Sequence, residues 1–179
     1  MNNENFKILR EEGSDTYSIA SSLAKKAKET FSKPSIIVIS SGLTIDAEQI
    51  IKGVKDVDNT IPLYGGLAGD DLTMKASYVF SNSFETANGL IALVVNRDKV
   101  EIHGLATSGW DDIGIEKTIT KSEGNIVYTI DDEPAADVFV KFFKFAGTVD
   151  TAAEIVVMNF AQYPLQLKKD NGNVVLRAP

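Results

Sequence analysis

The sequence predicts an α/β protein of the α+β kind, a mixed, mainly antiparallel sheet with flanking helices packed on it. Three observations point there. The first sixty residues read as a helical pattern, an apolar run and a second helical pattern; residues 61–130 then hold several β-type runs with no helix between them; and the chain closes on a hairpin pattern.

The elements follow from local chemistry. Ser14 or Asp15 caps the first helix, in which Ala20, Leu23, Ala24, Ala27 and Phe31 recur at helical spacing with lysines on the other side. Pro34 ends it, and Ile36-Ile37-Val38-Ile39 follows as a β-branched run without alternation, the pattern of a strand covered on both faces. Ser40-Ser41-Gly42 turns the chain. Thr44 or Asp46 opens a second helix whose Ala47, Ile50, Ile51 and Val54 share a face, until Gly53 and the polar stretch 56–60 stop it. The opening residues before Ser14 give no clear pattern.

From Ile61 the character changes. Gly65, Gly66 and Gly69 are expected to form a flexible loop, followed by β-type runs over residues 77–81, 90–95, 100–107, and the pair 118–120 with 126–130. Asn96-Arg97-Asp98 and Glu123-Gly124-Asn125 have hairpin length, so the pairing there is expected to be antiparallel. In the 100–107 run Val100, Ile102, Gly104 and Ala106 alternate with Glu101, His103 and Leu105. Glu133-Pro134 starts a third helix running through Phe145, with proline in the first turn and Asp132 helping to cap it. Asp137, Lys141 and Lys144 form its one polar stripe, which makes it the helix expected to be most buried; Phe139, Phe142, Phe143 and Phe145 read as core packing before they read as a cofactor box. Residues 154–160 form another apolar strand, and residues 165–168 and 174–177 flank Asp170-Asn171-Gly172 as a hairpin.

Composition excludes several classes. The 179 residues are 44% hydrophobic and 24% charged, which is globular rather than disordered composition. Eighteen Lys and Arg against 25 Asp and Glu give a net charge of −7, a surface that repels nucleic-acid phosphates and anionic lipid. With no cysteine, disulfides, thiolate metal sites and cysteine nucleophiles are excluded. Met1-Asn2-Asn3-Glu4-Asn5 is not a signal peptide, and no apolar run reaches the roughly 20 residues of a membrane span; the expected location is the cytoplasm.

Candidate chemistry is sparse. The glycines at 65, 66 and 69 lack the spacing of a dinucleotide fingerprint, and Asp70-Asp71 stands where a P-loop needs Lys-Ser/Thr, so polyphosphate is excluded. What remains is either a tight turn capped by aspartate or a loop that lets backbone approach a ligand beside two carboxylates. The doublets Asp70-Asp71, Asp111-Asp112 and Asp131-Asp132 all sit at predicted turns, the plainer account of them than a metal or an acid–base pair. His103 is the only histidine; no Gly-x-Ser-x-Gly elbow accompanies it, so a hydrolase triad is disfavoured, while a haem-ligand role stays open beside that of an ordinary strand histidine. Trp110, the only tryptophan, is either a pocket wall or a cap on the core.

Five segments in register carry a family resemblance. Tyr64-Gly65-Gly66-Leu67-Ala68-Gly69-Asp70-Asp71, then Val79-Phe80, Gly89-Leu90-Ile91-Ala92-Leu93-Val94, Thr107-Ser108-Gly109-Trp110 and Val127-Tyr128-Thr129-Ile130-Asp131-Asp132-Glu133-Pro134-Ala135-Ala136 resemble the FIST domain. Tyr163-Pro164-Leu165 through Val175-Leu176-Arg177 resembles the segment leading into that family's C-terminal half. The resemblance implies a FIST N-terminal domain over residues 1–160, the start of a truncated C-terminal part over 161–179, and so one half of a two-lobed sensory domain. It implies a non-catalytic, prokaryotic sensory module for amino acids or their derivatives, working beside a histidine kinase or cyclic-dinucleotide output module. Gly65, Gly66, Gly69 and Asp70 become expected pocket components, with Trp110 as aromatic wall and Arg177 as carboxylate partner. Two alternatives stay open: a haem-based nitric oxide sensor using His103, known from one branch of the family, and an enzyme of unrecognised type.

Overall fold

Pairing between distant strands organises the first sixty residues more than the helical patterns do. In the computed structural model, which describes residues 3–71, 73, 75–107, 109–124, 126–145, 164–168 and 174–177, a 3-10 turn at Asn3–Asn5 leads into strand β1, Phe6–Glu12. Its pattern escapes sequence reading because Lys7, Arg10, Glu11 and Glu12 interrupt the alternation, as charges on edge strands commonly do. Helix α1 (Thr16–Thr30) follows, then β2 (Pro34–Ser41), helix α2 (Ala47–Val57), β3 (Leu63–Ala68), the short pair β4 (Val79–Ser81) and β5 (Phe84–Thr86), and β6 (Gly89–Asn96). The four-stranded sheet has the order β1-β6-β2-β3. β6 is antiparallel to both neighbours, with Leu9 opposite Ala92 and Val38 opposite Ala92, and β2 is parallel to β3. The strands β1, β2 and β3 therefore all point the same way, with β6 reversed among them.

Both helices are capped as their sequences predict. The Asp15 carboxylate accepts from the Ser18 backbone N–H at 3.0 Å, and that bond holds its carboxyl below the usual range. Asp46 accepts from the N–H groups of Glu48 and Gln49. Leu23, Ala24 and Ala27 of α1 and Ile50 and Val54 of α2 meet Ile36, Val38, Leu90, Ala92 and Val94 in one core on a single face of the sheet. The other face is only partly covered. Ile39 is 45% exposed, so β2 is not covered on both faces as its unbroken apolar run predicts; alternate side chains go to different environments in spite of being equally apolar.

Two helix expectations change in the same way. Ile51 lies exposed, off the face that holds Ile50 and Val54. Gly53 does not stop α2 but is buried inside it, where α1 crosses. The helix ends four residues on at Val57, and the carboxylate of its C-cap, Asp58, takes hydrogen bonds from Thr60 and pairs with Lys28 at 2.5 Å. The Lys28 ammonium, more than any other neighbour, pulls the Asp58 carboxyl far below its ordinary range. A carboxyl with a lowered folded pKa contributes stability above its unfolded pKa of about 4, and that contribution is lost as pH falls toward the folded value. The stability gap between wild type and Asp58→Asn, read from urea midpoints, is therefore expected to be widest at neutral pH and to shrink below about pH 4.

Beyond β6 the expected hairpin at Asn96-Arg97-Asp98 and the strand over 100–107 are absent. The Asn96 carbonyl accepts from both Lys99 and Val100, and its side chain from the Asp98 N–H, so the chain winds up where a hairpin would turn back; residues 100–107 carry no regular structure. Gly65 and Gly66 are likewise not a loop but the middle of β3. Glycine weakens a strand pattern, which is why the sequence hides it.

The chain divides into two compact units, residues 1–106 and 107–179. In the second, β7 (Ile119–Glu123) and β8 (Ile126–Ile130) form the predicted hairpin, and β9 (Glu133–Pro134) adds antiparallel to β8. Pro134 therefore precedes helix α3 (Ala135–Phe145) instead of starting it. Asp131 and Asp132 are the two loop residues of the β8–β9 turn, with φ of 50° and 64°, the left-handed pair of a type I′ turn. Asp132 thus serves the turn, its N–H donating to Thr120 Oγ1, and is not a helix cap. Glycine adopts that conformation at no steric cost, so Asp132→Gly is expected to leave stability unchanged or raise it by up to about 1 kcal/mol, and Asp132→Val to lower it, in thermal melts.

Helix α3 is not the most buried. Of its positions with described side chains only Ala135 is buried, whereas α1 holds six buried residues; its salt bridge is Lys141 to Glu133. Strands β10 (Leu165–Lys168) and β11 (Val174–Arg177) form the expected terminal hairpin. Its turn at 170–172 and the apolar run 154–160 lie outside the described residues.

Candidate functional site at the carboxyl end of strand β3

Parallel strands that share a direction place their carboxyl ends and following loops at one rim of the sheet, where open α/β sheets bind ligands. At the ends of β2 and β3 this rim is held by hydroxyl groups. Ser77 Oγ accepts from the N–H of Gly42 at 2.6 Å and of Leu43 at 3.3 Å; Ser41 Oγ lies 3.1 Å from Thr44 Oγ1, which donates to the Ala87 carbonyl. A Cβ on Gly42 would collide with the Ala68 carbonyl oxygen, so the exits of the two strands touch. The sequence reading gives Ser40-Ser41-Gly42 as a turn and Thr44 as a helix start, and none of them as part of a site, whereas Ser40 and Ser41 belong to β2. The run Ser40-Ser41-Gly42-Leu43-Thr44 after an apolar strand was their signal, since short hydroxyl residues there satisfy loop N–H groups.

The three glycines that sequence treats alike have different duties. Gly65 has φ +144°, and a Cβ there would stand 2.7 Å from the Val38 carbonyl carbon and closer still to its oxygen. Its need is structural. Gly66 and Gly69 are exposed, and a Cβ on either would meet nothing within 4 Å. They leave open backbone to which another molecule has access. Asp70 follows, half-buried, with Thr73 Oγ1 donating to its Oδ2 at 3.0 Å.

The remaining expected residues stand elsewhere in the chain. Trp110, 48% exposed, and Arg177, whose guanidinium donates to the Leu176 carbonyl, belong to the second unit. The His103 side chain is 81% exposed, with Nε2 3.1 Å from Glu101 Oε1, in water and not among the apolar walls that a haem face requires. Among the described residues no group of three or more His, Cys, Asp or Glu could hold a metal ion, and no helix is long and apolar enough to cross a membrane. Of the acidic doublets, Asp131-Asp132 is accounted for by its turn; Asp131 pairs with Lys117 at 2.7 Å, which lowers its pKa. A further open depression of about 640 Å³ lies along α1 and α2, lined by Tyr17, Ser18, Ser21, Lys25, Asp56 and Val57, with the Tyr17 hydroxyl donating to Asp56 at 3.0 Å; it contains none of the expected site residues.

The family model for the FIST N domain matches residues 3–133. The chain belongs to the FIST family. That match takes in the first unit from Asn3 onward, with β3 and its Asp70 exit, and in the second unit runs as far as Glu133 in β9. FIST is a sensory-domain family of signal transduction. No curated protein and no solved structure matches the chain.

Proposed function

We propose that this FIST chain is a non-catalytic sensory module that binds a small metabolite, an amino acid or derivative, at the carboxyl end of β3. The observation that carries the reading is the end half of β3 and its exit, where Gly66 within the strand and Gly69 just past it leave backbone open and the half-buried Asp70 carboxylate follows. Open N–H and C=O groups suit one end of a zwitterion and a carboxylate suits its ammonium. Residues 1–160 act as the N-terminal domain and 161–179 as the start of its C-terminal counterpart. Ligand biases a conformational equilibrium, which a cytoplasmic histidine kinase or cyclic-dinucleotide enzyme of a prokaryote reads.

A thermal-shift screen of the chain against the twenty common amino acids tests this. A ligand at a hundred times its dissociation constant is expected to add about 2.7 kcal/mol, and Asp70→Asn to abolish the shift. No shift with any of them overturns the ligand class. A shift that survives Asp70→Asn moves the site away from β3. On reconstitution, a Soret band that vanishes in His103→Ala overturns the metabolite reading in favour of haem.

A further inference from the structure

Among the described residues, strand β3 lies at an edge of its sheet. Leu63–Ala68 carries no charge, whereas the opposite edge, β1, carries Lys7, Arg10, Glu11 and Glu12, the kind of residue by which natural sheets discourage stray pairing. Among the described residues no backbone hydrogen bond reaches the outer side of β3.

Within residues 100–106, Ile102 and Gly104 touch the Tyr64 side chain of this strand, and the segment does not pair with it. The Tyr64 hydroxyl donates to the Ile102 carbonyl at 3.2 Å, and Gly104 sits so close that a Cβ on it would overlap the Tyr64 ring. The segment has the period of a strand, Val100, Ile102, Gly104 and Ala106 alternating with Glu101, His103 and Leu105, yet it has no strand partner and leaves Leu105 89% exposed. Its start is fixed. Arg97 donates from its N–H to the Lys33 carbonyl at 2.9 Å and from its guanidinium to the Thr60 carbonyl at 3.0 Å, which anchors the chain at the end of the sheet where β2 and β3 begin.

We propose that residues 100–106 are a strap that pairs with the free edge of β3 as a fifth strand, running in the same direction, and that this edge exchanges between strapped and open states. The anchored turn makes this segment the occupant, because a tethered strand meets the edge at an effective concentration that an outside strand does not reach. Pairing supplies β3 with hydrogen bonds and gives the alternating side chains two faces to occupy. One consequence rests on the ligand reading above. Strap and ligand would act on the same glycine-bearing strand, so the occupancy of one changes the affinity for the other.

Amide exchange by NMR on the intact chain, with no ligand added, tests the strap. Amides within 101–106 are expected to exchange at least about tenfold more slowly than in an unstructured chain, with cross-strand proton contacts to 63–68. Successive N–H groups of a strand point to opposite edges, so one of His103→Pro and Gly104→Pro must delete a ladder donor. Loss of the protection in at least one of them, with β2 and β6 amides still protected, is the expected result. Free-chain exchange of 101–106 in the wild type, or protection that survives both prolines, overturns the strap. Because no ligand is present, that failure leaves the metabolite reading standing, and an empty metabolite screen leaves the strap standing.

Discussion

Gly65→Ala is expected to cost about 4 kcal/mol or more, a large part of the 5–15 kcal/mol that holds an ordinary domain together. Two effects add. The φ of +144° is strained for any residue with a side chain, and the added methyl would be driven into the Val38 carbonyl, a backbone group in an inner strand of the sheet that cannot step aside. Relief requires β3 to leave β2, which uncovers Leu63 and the edge of the core. Gly66→Ala, one residue along, is expected to stay within about 0.5 kcal/mol of wild type because its methyl meets nothing. Urea unfolding of the two variants gives the comparison. Equal stability would mean that β3 does not pair with Val38 as described. The contrast also separates fold from function at this strand, since a binding defect in Gly66→Ala could not be ascribed to a damaged sheet.

The second large effect is expected at Gly53, and its sign is opposite to the usual rule. Glycine to alanine in a helix interior ordinarily gains up to about 1 kcal/mol. Here a Cβ would stand 2.7 Å from the Tyr17 carbonyl oxygen, 2.9 Å from the Ala20 Cβ and 3.1 Å from the Ser21 nitrogen. Two of these are backbone atoms and the third is fixed to backbone, so no side-chain rotation relieves the clash. The helices must separate along the seam where Ala20 is buried and Ser21 Oγ donates to the Gly53 carbonyl. Overpacking against rigid neighbours exceeds the propensity gain, and a net loss of about 3 kcal/mol is expected in thermal or urea melts. A variant at least as stable as wild type would show that α1 and α2 do not cross at this residue.

Much of the fold is legible in the sequence where one residue type has one meaning. Asp15 and Asp46 are caps in both readings, and the stripe Ala20, Leu23, Ala24, Ala27 is buried as its spacing predicts. The failures come where local pattern is outvoted by a partner far along the chain. β1 hides beneath charges because it lies at an edge, and β3 hides beneath glycines because one of them must admit the Val38 carbonyl. Residues 100–107 fail in the opposite sense, with strand period but no strand partner among the described residues. For the candidate site, the sequence points to the stretch Gly65 to Asp70 and misses that Gly65 and Gly66 lie within a strand. It could not find Ser77, whose hydroxyl serves loop N–H groups 34 and 35 residues away.

The reversed strand β6 also constrains how the molecule is made. β1 and β2 are never neighbours; the strand between them arrives last, with Phe6 waiting for Val95 and Pro34 for Asn96. On a ribosome, a chain released only as far as β3 has made both helices and three of the four strands of this sheet, but has a gap at its centre. Closing it joins segments almost ninety residues apart, the sort of distant contact that slows folding and prolongs exposure of sticky strands. For this sheet the decisive step in biogenesis is the insertion of Gly89–Asn96 into a slot that the earlier residues have already framed.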